Sequence, residues 1–315
     1  MIGRYLVLFA ILFTGYFLRK INFLDDEMNH GLNKFIVYFA YPCMIVHNIG
    51  TLEMTGQLAV NFVVMLVLSL IFFYIYGGYM YLYGKARKFP KEISNVAEFA
   101  SASPNNGFMG FPVTLLFFGE KGMFLMLAHN AAMNFFFFTY GLKTLRRNKD
   151  ATRKRTPHAA FKSVLKVATN PNTIALALGL ILSLSGIGLL EPVDEYLVYI
   201  GSVSTPMAMI YIGSVLARFN FLEIIRDRVT IEGSINKLII LPLLTVALVY
   251  FLPIDDFIKA MLVMGCAFPG AAVVSMLTQQ EGEDATVSSK ILFLSTVVSI
   301  VTIPLAVELI NYIWM

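Results

Sequence analysis

Long apolar segments alternate with short polar stretches along almost the whole chain. Each apolar segment runs for about 20 residues, the length that a helix needs to cross the hydrocarbon core of a bilayer. The pattern therefore predicts an all-α integral membrane protein with ten transmembrane segments, numbered 1 to 10 in chain order. These segments cover residues 4–20, 30–50, 58–83, 93–118, 121–144, 171–190, 195–217, 230–252, 257–279 and 286–313.

The composition agrees with a membrane protein. Of the 315 residues, 57% are hydrophobic and 14% are charged, whereas soluble domains average about 45–50% apolar and 25% charged residues. The first apolar run ends in "YFLRK" without a small-residue cleavage site, so we interpret it as a retained span and not as a signal peptide. Cys43 and Cys266 lie in apolar segments and are interpreted as small buried hydrophobes.

The distribution of Lys and Arg predicts the orientation in the membrane. With both termini, Arg4, Lys121 and Lys259 on one side, the other side holds 21 of the 24 basic residues, including Lys237 and Lys290. Because cytoplasmic loops are enriched in Lys and Arg, we expect extracytoplasmic termini in a bacterial-type inner membrane. Lys290 is expected to snorkel to the interface or to attract an anion.

A polar, basic stretch at 146–169 divides the chain into a first repeat at 1–145 and a second at 170–315. We expect this linker to be cytoplasmic and to contact anionic lipid headgroups. The net charge of +4 does not indicate a nucleic-acid partner, because the basic residues lie in loops between apolar segments.

Helix-breaking residues recur at corresponding places in the two halves. Segment 4 contains "SPNNGFMGFP" and segment 9 contains "GCAFPGAAVV", while Pro42 and Pro206 interrupt segments 2 and 7. With five segments in each half, the second half enters the membrane from the opposite side, which predicts an inverted repeat. Paired broken helices in matching positions are typical of a transporter's binding site, since broken backbone is tolerated where it lines a cavity.

The break in segment 4 predicts how a ligand is held. N-termini of half-helices offer N–H groups and a positive dipole end, which favour an anion. Asn105 and Asn106 are expected to contact a carboxylate or its co-transported ion, or alternatively to cap the half-helices. Gly107 and Gly110 are expected to allow close backbone approach and unusual dihedral angles. The residues expected to fix the breaks by removing N–H donors are Pro104, Pro112 and Pro269.

Other polar residues in the apolar segments are further candidates. Glu98 in segment 4 is an ion-coupling candidate for H⁺ or Na⁺, unless it is solvated or paired with Lys91. Asn130 and Asn134 share a helix face in segment 5 and either line the site or form interhelical hydrogen bonds. His129 is expected to lie near the outer end of segment 5, at the interface.

At "SPNNGFMGFPV", "KLIILPLL", "CAFPGAA" and "LSTVVSIVTIPL" the sequence resembles the auxin efflux carrier family, which includes plant PIN-formed carriers and bacterial malate and malonate permeases. The resemblance implies two inverted five-helix repeats, broken crossing helices 4 and 9, and a fold similar to bile acid symporters. It also implies a scaffold of segments 1, 2, 6 and 7, a transport unit of segments 3–5 and 8–10, an elevator-type movement and a homodimer. The short central loop and the "NN" pair depart from the plant carriers, so auxin itself is not implied.

The sequence therefore predicts a secondary transporter of a small organic anion, expected to be a carboxylate. The alternative is an anion channel or an ion-conducting pore built on the same fold. The chain has no phosphate-binding loop, catalytic triad or metal-ligand spacing, so we predict no enzyme activity and no cofactor apart from H⁺ or Na⁺ as a coupling ion. The predicted partners are the carboxylate, membrane lipid and a second copy of the chain. The predicted substrate-binding residues are Asn105, Asn106, Gly107, Asn130, Asn134 and Gly270.

Overall fold

The structure is a computed structural model that describes residues 2–147, 165, 168–219 and 221–315. Most of the predicted basic linker at 146–169 lies outside these residues. Every named element in the described part of the chain is a helix, as the sequence predicts. In the first half the helices are α1 (Ile2–Lys20), α2 (Asp26–Phe35), α3 (Tyr41–Gly50), α4 (Gly56–Ala86), α5 (Lys91–Ala102), α6 (Phe111–Phe136) and α7 (Leu142–Leu145).

The second half has a similar arrangement, with short helices between longer apolar ones. Its helices are α8 (Pro171–Ser185), α9 (Glu191–Ser202), α10 (Ser204–Leu216), α11 (Phe221–Ile224), α12 (Arg228–Ile235), α13 (Leu241–Val249), α14 (Asp256–Ala267), α15 (Ala272–Gln280) and α16 (Thr286–Trp314).

Wide π-helical turns precede three prolines. Each turn ends two residues before its proline: Ile36–Ala40 before Pro42, Asn106–Gly110 before Pro112, and Asn236–Ile240 before Pro242. A proline lacks an N–H and its ring collides with the carbonyl four residues earlier in a regular α-helix. The wider turn relieves this collision, so the helix continues through the proline with a change in the direction of its side chains.

Five helical stretches among the described residues are long and apolar enough to cross a membrane: Gly56–Ala86, Asn106–Leu145, Glu191–Leu216, Arg228–Val249 and Thr286–Trp314. They cover predicted segments 3, 5, 7, 8 and 10. The second stretch also includes the part of segment 4 that follows the break and contains a kink at Gly119, and the third bends at Val203. The chain is thus an all-helical integral membrane protein. The count of ten spans and the inversion of the two halves stay predictions.

The helices form two compact units that interleave along the sequence. Unit 1 comprises Met1–Phe62, Phe111–Leu127 and Leu165–Arg218, and unit 2 comprises Val63–Gly110, Ala128–Val164 and Phe219–Met315. Unit 1 therefore contains segments 1, 2, 6 and 7 together with one stretch from residue 111 to 127. Unit 2 contains both helix breaks.

Within unit 1, α1 packs against α10 at backbone contact distance. A Cβ atom at Gly213 would lie 1.8 Å from the carbonyl oxygen of Leu12, and one at Gly15 would lie 2.1 Å from that of Ile210. Small residues of this kind let membrane helices approach closely. A buried hydrogen bond of 2.7 Å from Asn29 Nδ2 to Ser214 Oγ joins α2 to the same helix α10.

Within unit 2, α16 is the central helix. It packs against α5, α12, α14 and α15, and its hydroxyl-bearing residues Ser288, Ser295, Thr296 and Ser299 are buried. A buried hydrogen bond of 2.6 Å between the hydroxyls of Tyr76 and Thr245 joins α4 to α13. Packed helices of unit 2 therefore surround the two breaks.

Candidate binding site at the paired helix breaks

The two predicted breaks are present, and their backbones pair with each other. After α5 the chain becomes extended at Ser103, and after α14 it becomes extended at Phe268. Pro104 and Gly270 form an antiparallel bridge. Asn105 N donates to Pro269 O at 2.7 Å, and Ala271 N donates to Ser103 O at 3.0 Å. Both interrupted helices leave backbone N–H and C=O groups unpaired, and the bridge provides hydrogen-bond partners for these groups. A break inside a membrane-spanning segment is therefore tolerated.

Ser295 of α16 supports the bridge from the side. Its Oγ accepts a hydrogen bond of 2.9 Å from the N–H of Gly270 and donates to the carbonyl of Ile291 at 2.5 Å. The N–H of Gly270, a predicted substrate-binding residue, therefore already has a partner. Ser295 was not a candidate from the sequence, because a serine in an apolar helix most often bonds only to its own backbone.

Asn105 is 3% exposed and lies directly at the break. Its Oδ1 accepts a hydrogen bond of 3.3 Å from the N–H of Phe108, so the predicted capping role is observed. Its Nδ2 is buried and has no hydrogen-bond partner in the described part of the chain. The cap fixes the direction of the side chain and leaves one donor for a ligand.

Asn106 is fully buried and contacts His129, with 2.7 Å between Asn106 Nδ2 and His129 Nδ1. Because an amide nitrogen only donates, the neutral imidazole accepts at Nδ1 and carries its proton on Nε2. The Oδ1 of Asn106 is buried without a partner among the described residues. The interfacial position expected for His129 is wrong, since the side chain is 1% exposed and packs against Phe73 and Gly265.

Asn130 and Asn134 follow His129 on α6. Asn130 is buried and Asn134 is half-buried. No hydrogen bond joins either side chain to Asn105 or Asn106 in the described structure, whereas His129 bonds to Asn106. Their predicted place at the substrate remains a prediction.

The glycines and the second proline of the segment 4 motif differ in part from expectation. A Cβ atom at Gly107 would meet no atom within 4 Å, so no close approach requires a glycine there. At Gly110 a Cβ would lie 3.2 Å from the ring of Phe268, and its φ of −64° is an ordinary helical value. Pro112 lies inside the helix that resumes at Asn106, after the π-helical turn, and not in the break.

Lys237 is a second residue that the sequence analysis placed wrongly. It was counted among the basic residues of the cytoplasmic side, but its side chain is fully buried between α12 and α13. Its Nζ donates to Cys266 O at 3.0 Å, in the last turn of α14. The π-helical turn before Pro242 sets its direction. A cation at the carboxyl end of a half-helix is favoured by the helix dipole, and Cys266 O is the one acceptor that the described residues offer it.

His129 and Lys237 reach the same turn of α14 from two directions. The ring of His129 would lie 2.7 Å from a Cβ at Gly265, and Lys237 bonds to the carbonyl of the next residue, Cys266. Together with Asn105 and Asn106 they form a buried polar cluster beside the bridge. The cluster offers donors on an amide and an ammonium group, one amide acceptor and no carboxylate, so its chemistry favours an anion.

Glu98 is neither solvated nor paired with Lys91 as the alternative reading had it. The carboxylate is 2% exposed and pairs with Arg147, at 2.8 Å from Oε2 to Nη1 and 2.9 Å from Oε1 to Nη2. Tyr140 donates a further hydrogen bond to it at 2.6 Å. Its hydrogen bonds to Glu98 raise the pKa of Arg147 above the ordinary value for a guanidinium. The predicted role in ion coupling is not tested by this geometry.

Lys290 also has a partner that the sequence analysis did not foresee. Its Nζ lies 3.0 Å from Oδ2 of Asp227, the residue that caps α12. Burial acts to raise the pKa of Asp227, but the hydrogen bonds from Lys290 and Thr230 hold this pKa below its ordinary value. Lys290 therefore has an acidic partner in the structure, and its expected snorkelling or attraction of an anion stays a prediction.

Apolar spanning helices, paired helix breaks and a buried polar cluster together define an integral membrane transporter. The sequence model of the family described as membrane transport protein matches residues 1–307, so the chain belongs to this family, which includes the auxin efflux carriers. This confirms the resemblance drawn from the segment 4 motif, and the chain is a transporter and not an enzyme.

Two archaeal relatives match along nearly their whole length. An uncharacterized transporter of Methanothermobacter thermautotrophicus is 25% identical over 299 residues, which cover 94% of each chain. An uncharacterized transporter of Methanocaldococcus jannaschii is 26% identical over 311 residues, which cover 95% of this chain and 96% of the relative.

Proposed function

We propose that this transporter is a secondary carrier that moves a small organic anion, a carboxylate, held where broken segments 4 and 9 pair. The observation that carries the proposal is Lys237, a fully buried ammonium group with a single hydrogen bond to Cys266 O in the described structure. An ammonium group has three donors, and an incompletely paired buried charge is unfavourable unless a ligand completes it. A carboxylate supplies both the acceptors and the opposite charge.

The amides at the break complement this charge. Asn105 Nδ2 offers a donor to a carboxylate oxygen, and Asn106 Oδ1 offers an acceptor. The acceptor favours a substrate that also carries a hydroxyl or a second, protonated carboxyl group. Helices resume at Asn106 and Ala272, and the positive ends of their dipoles adjoin the break. Neutral amides bind a carboxylate more weakly than an arginine does, which suits a carrier that must release its cargo.

The proposed mechanism is an elevator-type movement in which unit 2 carries the substrate. The residues of the buried polar cluster all belong to unit 2, which supports a site that moves as a body. The wider proposal comprises ten spans as inverted repeats at 1–145 and 170–315, extracytoplasmic termini, a cytoplasmic linker at 146–169 and a homodimer. H⁺ or Na⁺ is the proposed coupling ion. Glu98, which pairs with Arg147 in the structure, is the proposed site for it.

The substrate class is tested by thermal shift of the purified protein against a panel of mono-, di- and hydroxycarboxylates, with and without Na⁺ and across pH. We expect stabilisation by a subset of the carboxylates and none by amines of the same size. The same ligands should then compete for uptake into liposomes that contain the protein. Stabilisation by amines or neutral solutes alone would contradict an anion site.

Transport and channel activity are separated in the same liposomes. A carrier gives saturable uptake and counterflow, in which labelled substrate accumulates against unlabelled substrate inside. A channel gives large ohmic currents without counterflow. Lys143→Met serves as a matched control for substitutions of Lys237, because Lys143 is exposed at the end of segment 5.

A further inference from the structure

Two consecutive arginines at the end of segment 5 each hold one half of a broken segment. Arg147 forms a two-pronged ion pair with Glu98 of α5, the half-helix before the first break. Arg146 forms a two-pronged ion pair with Glu281, directly after α15, with Nε–Oε2 and Nη2–Oε1 both at 2.5 Å. Helix α15 is the half-helix after the second break.

The bridge joins the same two half-helices next to the breaks themselves. Ala271 N, at the start of α15, donates to Ser103 O, at the end of α5, and α5 and α15 also pack against each other. The two half-helices are therefore connected at the break by backbone hydrogen bonds and away from the break by neighbouring arginines. Because Arg146 and Arg147 are adjacent in the chain, a shift of one half-helix is transmitted to the other.

The contacts around Arg147 give this connection stiffness. The carboxylate of Glu98 is 2% exposed and also accepts from Tyr140 at 2.6 Å. The guanidinium lies over the ring of Tyr81 of α4, at 4.8 Å from its centroid. A two-pronged arginine–carboxylate pair fixes both distance and angle, which a lysine cannot do.

Glycine packing next to the ion pair shows how closely segment 5 and α5 are fitted. A Cβ atom at Gly141 would lie 2.3 Å from the ring of Phe99, the residue after Glu98. This contact and the ion pair set the height of α5 relative to segment 5. Since Asn105 and Asn106 lie just after the end of α5, the same contacts also set the position of their side-chain amides.

We propose that Arg146 and Arg147 are positioning residues that hold α5 and α15 as one frame and so keep the amides of Asn105 and Asn106 in place. The proposal rests on the proposed function only for its transport readout. Neither arginine contacts substrate in this account. Arg146 and Arg147 are also the first two residues of the predicted basic linker at 146–169.

The first test is hydrogen exchange of the purified protein and does not need a substrate. In Arg147→Met we expect amides of residues 99–106 to exchange at least fivefold faster, and in Arg146→Met those of residues 272–281. Arg228→Met is the matched control, because Glu232 keeps its second partner Arg87 when Arg228 is lost. Wild-type exchange at the break in both arginine variants would overturn the proposal.

A lone buried carboxylate in Arg147→Met could prevent folding, so a double variant keeps the test decisive. Glu98→Gln with Arg147→Met removes both charges and avoids an unpaired carboxylate. We expect this variant to fold and still to show fast exchange at 99–106. Arg147→Lys keeps the positive charge but cannot form the two parallel hydrogen bonds of a guanidinium group. Its exchange rate at 99–106 should lie between those of wild type and Arg147→Met. Wild-type exchange in the folded double variant would contradict a positioning role.

The transport readout separates positioning from a general loss of structure. In Arg146→Met and Arg147→Met, displacement of the side-chain amides of Asn105 and Asn106 weakens substrate binding. KM should therefore rise about fivefold or more, while the maximal rate per folded protein stays near wild type. A merely structural role lowers the amount of folded protein and leaves KM unchanged, and this result would overturn the proposal. If no carboxylate is transported at all, the proposed function is wrong. The exchange experiment then still shows whether Arg146 and Arg147 hold α5 and α15 in place.

Discussion

Replacing Lys237 by methionine separates binding from structural support, because the two roles predict opposite effects on stability. Methionine fills a similar volume without a charge. A charged side chain in the middle of a spanning helix costs about 2.5–3.5 kcal/mol on insertion scales, and a hydrogen bond from a charged group returns about 1.5–3 kcal/mol. The single bond to Cys266 O therefore roughly balances the burial. We expect the Lys237→Met protein to lie between no change and a gain of about 2 kcal/mol in stability.

The same substitution, Lys237→Met, should strongly weaken the binding of a carboxylate. Each lost hydrogen bond between the ammonium group and a carboxylate removes about 1.5–3 kcal/mol, which is roughly a ten- to hundredfold loss of affinity. The assay pairs thermal unfolding of the purified variant with carboxylate uptake into liposomes, and Lys143→Met is measured alongside. Lower stability together with unchanged uptake would refute the reasoning, because Lys237 would then only support the end of α14.

Three further predictions concern topology, packing and pH. A cysteine introduced at Thr156, which lies outside the described residues, should resist an impermeant thiol reagent in intact cells, and rapid labelling would reverse the predicted orientation. Gly213→Leu should prevent unit 1 from folding, because a Cβ there would lie 1.8 Å from Leu12 O; a well-folded variant by gel filtration would contradict this contact. The lowered pKa of Asp227 means that its pair with Lys290 stabilises the protein above the ordinary pKa of 3.8 and is lost as the pH falls through the folded value. Asp227→Asn should therefore reduce thermal stability at pH 7 and much less at pH 3, and an equal reduction at both would count against the pair.

The helix breaks could be predicted from the sequence because their causes are local. Pro104 and Pro269 remove donors in otherwise apolar segments, and a membrane leaves few ways to satisfy the freed backbone groups. The family motif added the correct expectation that the two breaks belong together. The direct pairing of Pro104 with Gly270 in a bridge is long-range, and no local pattern contains it.

The residues that the sequence analysis misplaced owe their positions to tertiary contacts. Lys237 was interpreted as a surface charge because it lies near the start of segment 8, but the π-helical turn before Pro242 directs it inward. His129 was expected at the interface because depth cannot be read from a single polar residue in a run of apolar ones. A lysine five residues before a proline inside an apolar segment was the available signal for a buried cation.

Ion pairs between distant residues were equally out of reach. Glu98 and Arg147 are 49 residues apart, and Asp227 and Lys290 are 63 apart. Sequence reasoning compared Glu98 with its neighbour Lys91 because only nearby partners can be proposed from helix spacing. Which acid meets which base depends on how the helices pack, and the pattern of apolar positions does not determine this.

Counterflow in liposomes is the most direct test of a carboxylate site at the paired breaks. Wild-type protein with unlabelled carboxylate inside should accumulate labelled carboxylate transiently above its equilibrium level. Asn105→Ala and Asn106→Ala, inserted and folded as well as wild type, should lose at least nine-tenths of this counterflow. Each variant loses a buried side-chain atom that has no partner among the described residues and is proposed to bind the substrate. Near wild-type counterflow in both variants across substrate concentrations would place the site elsewhere and leave the asparagines with structural roles alone.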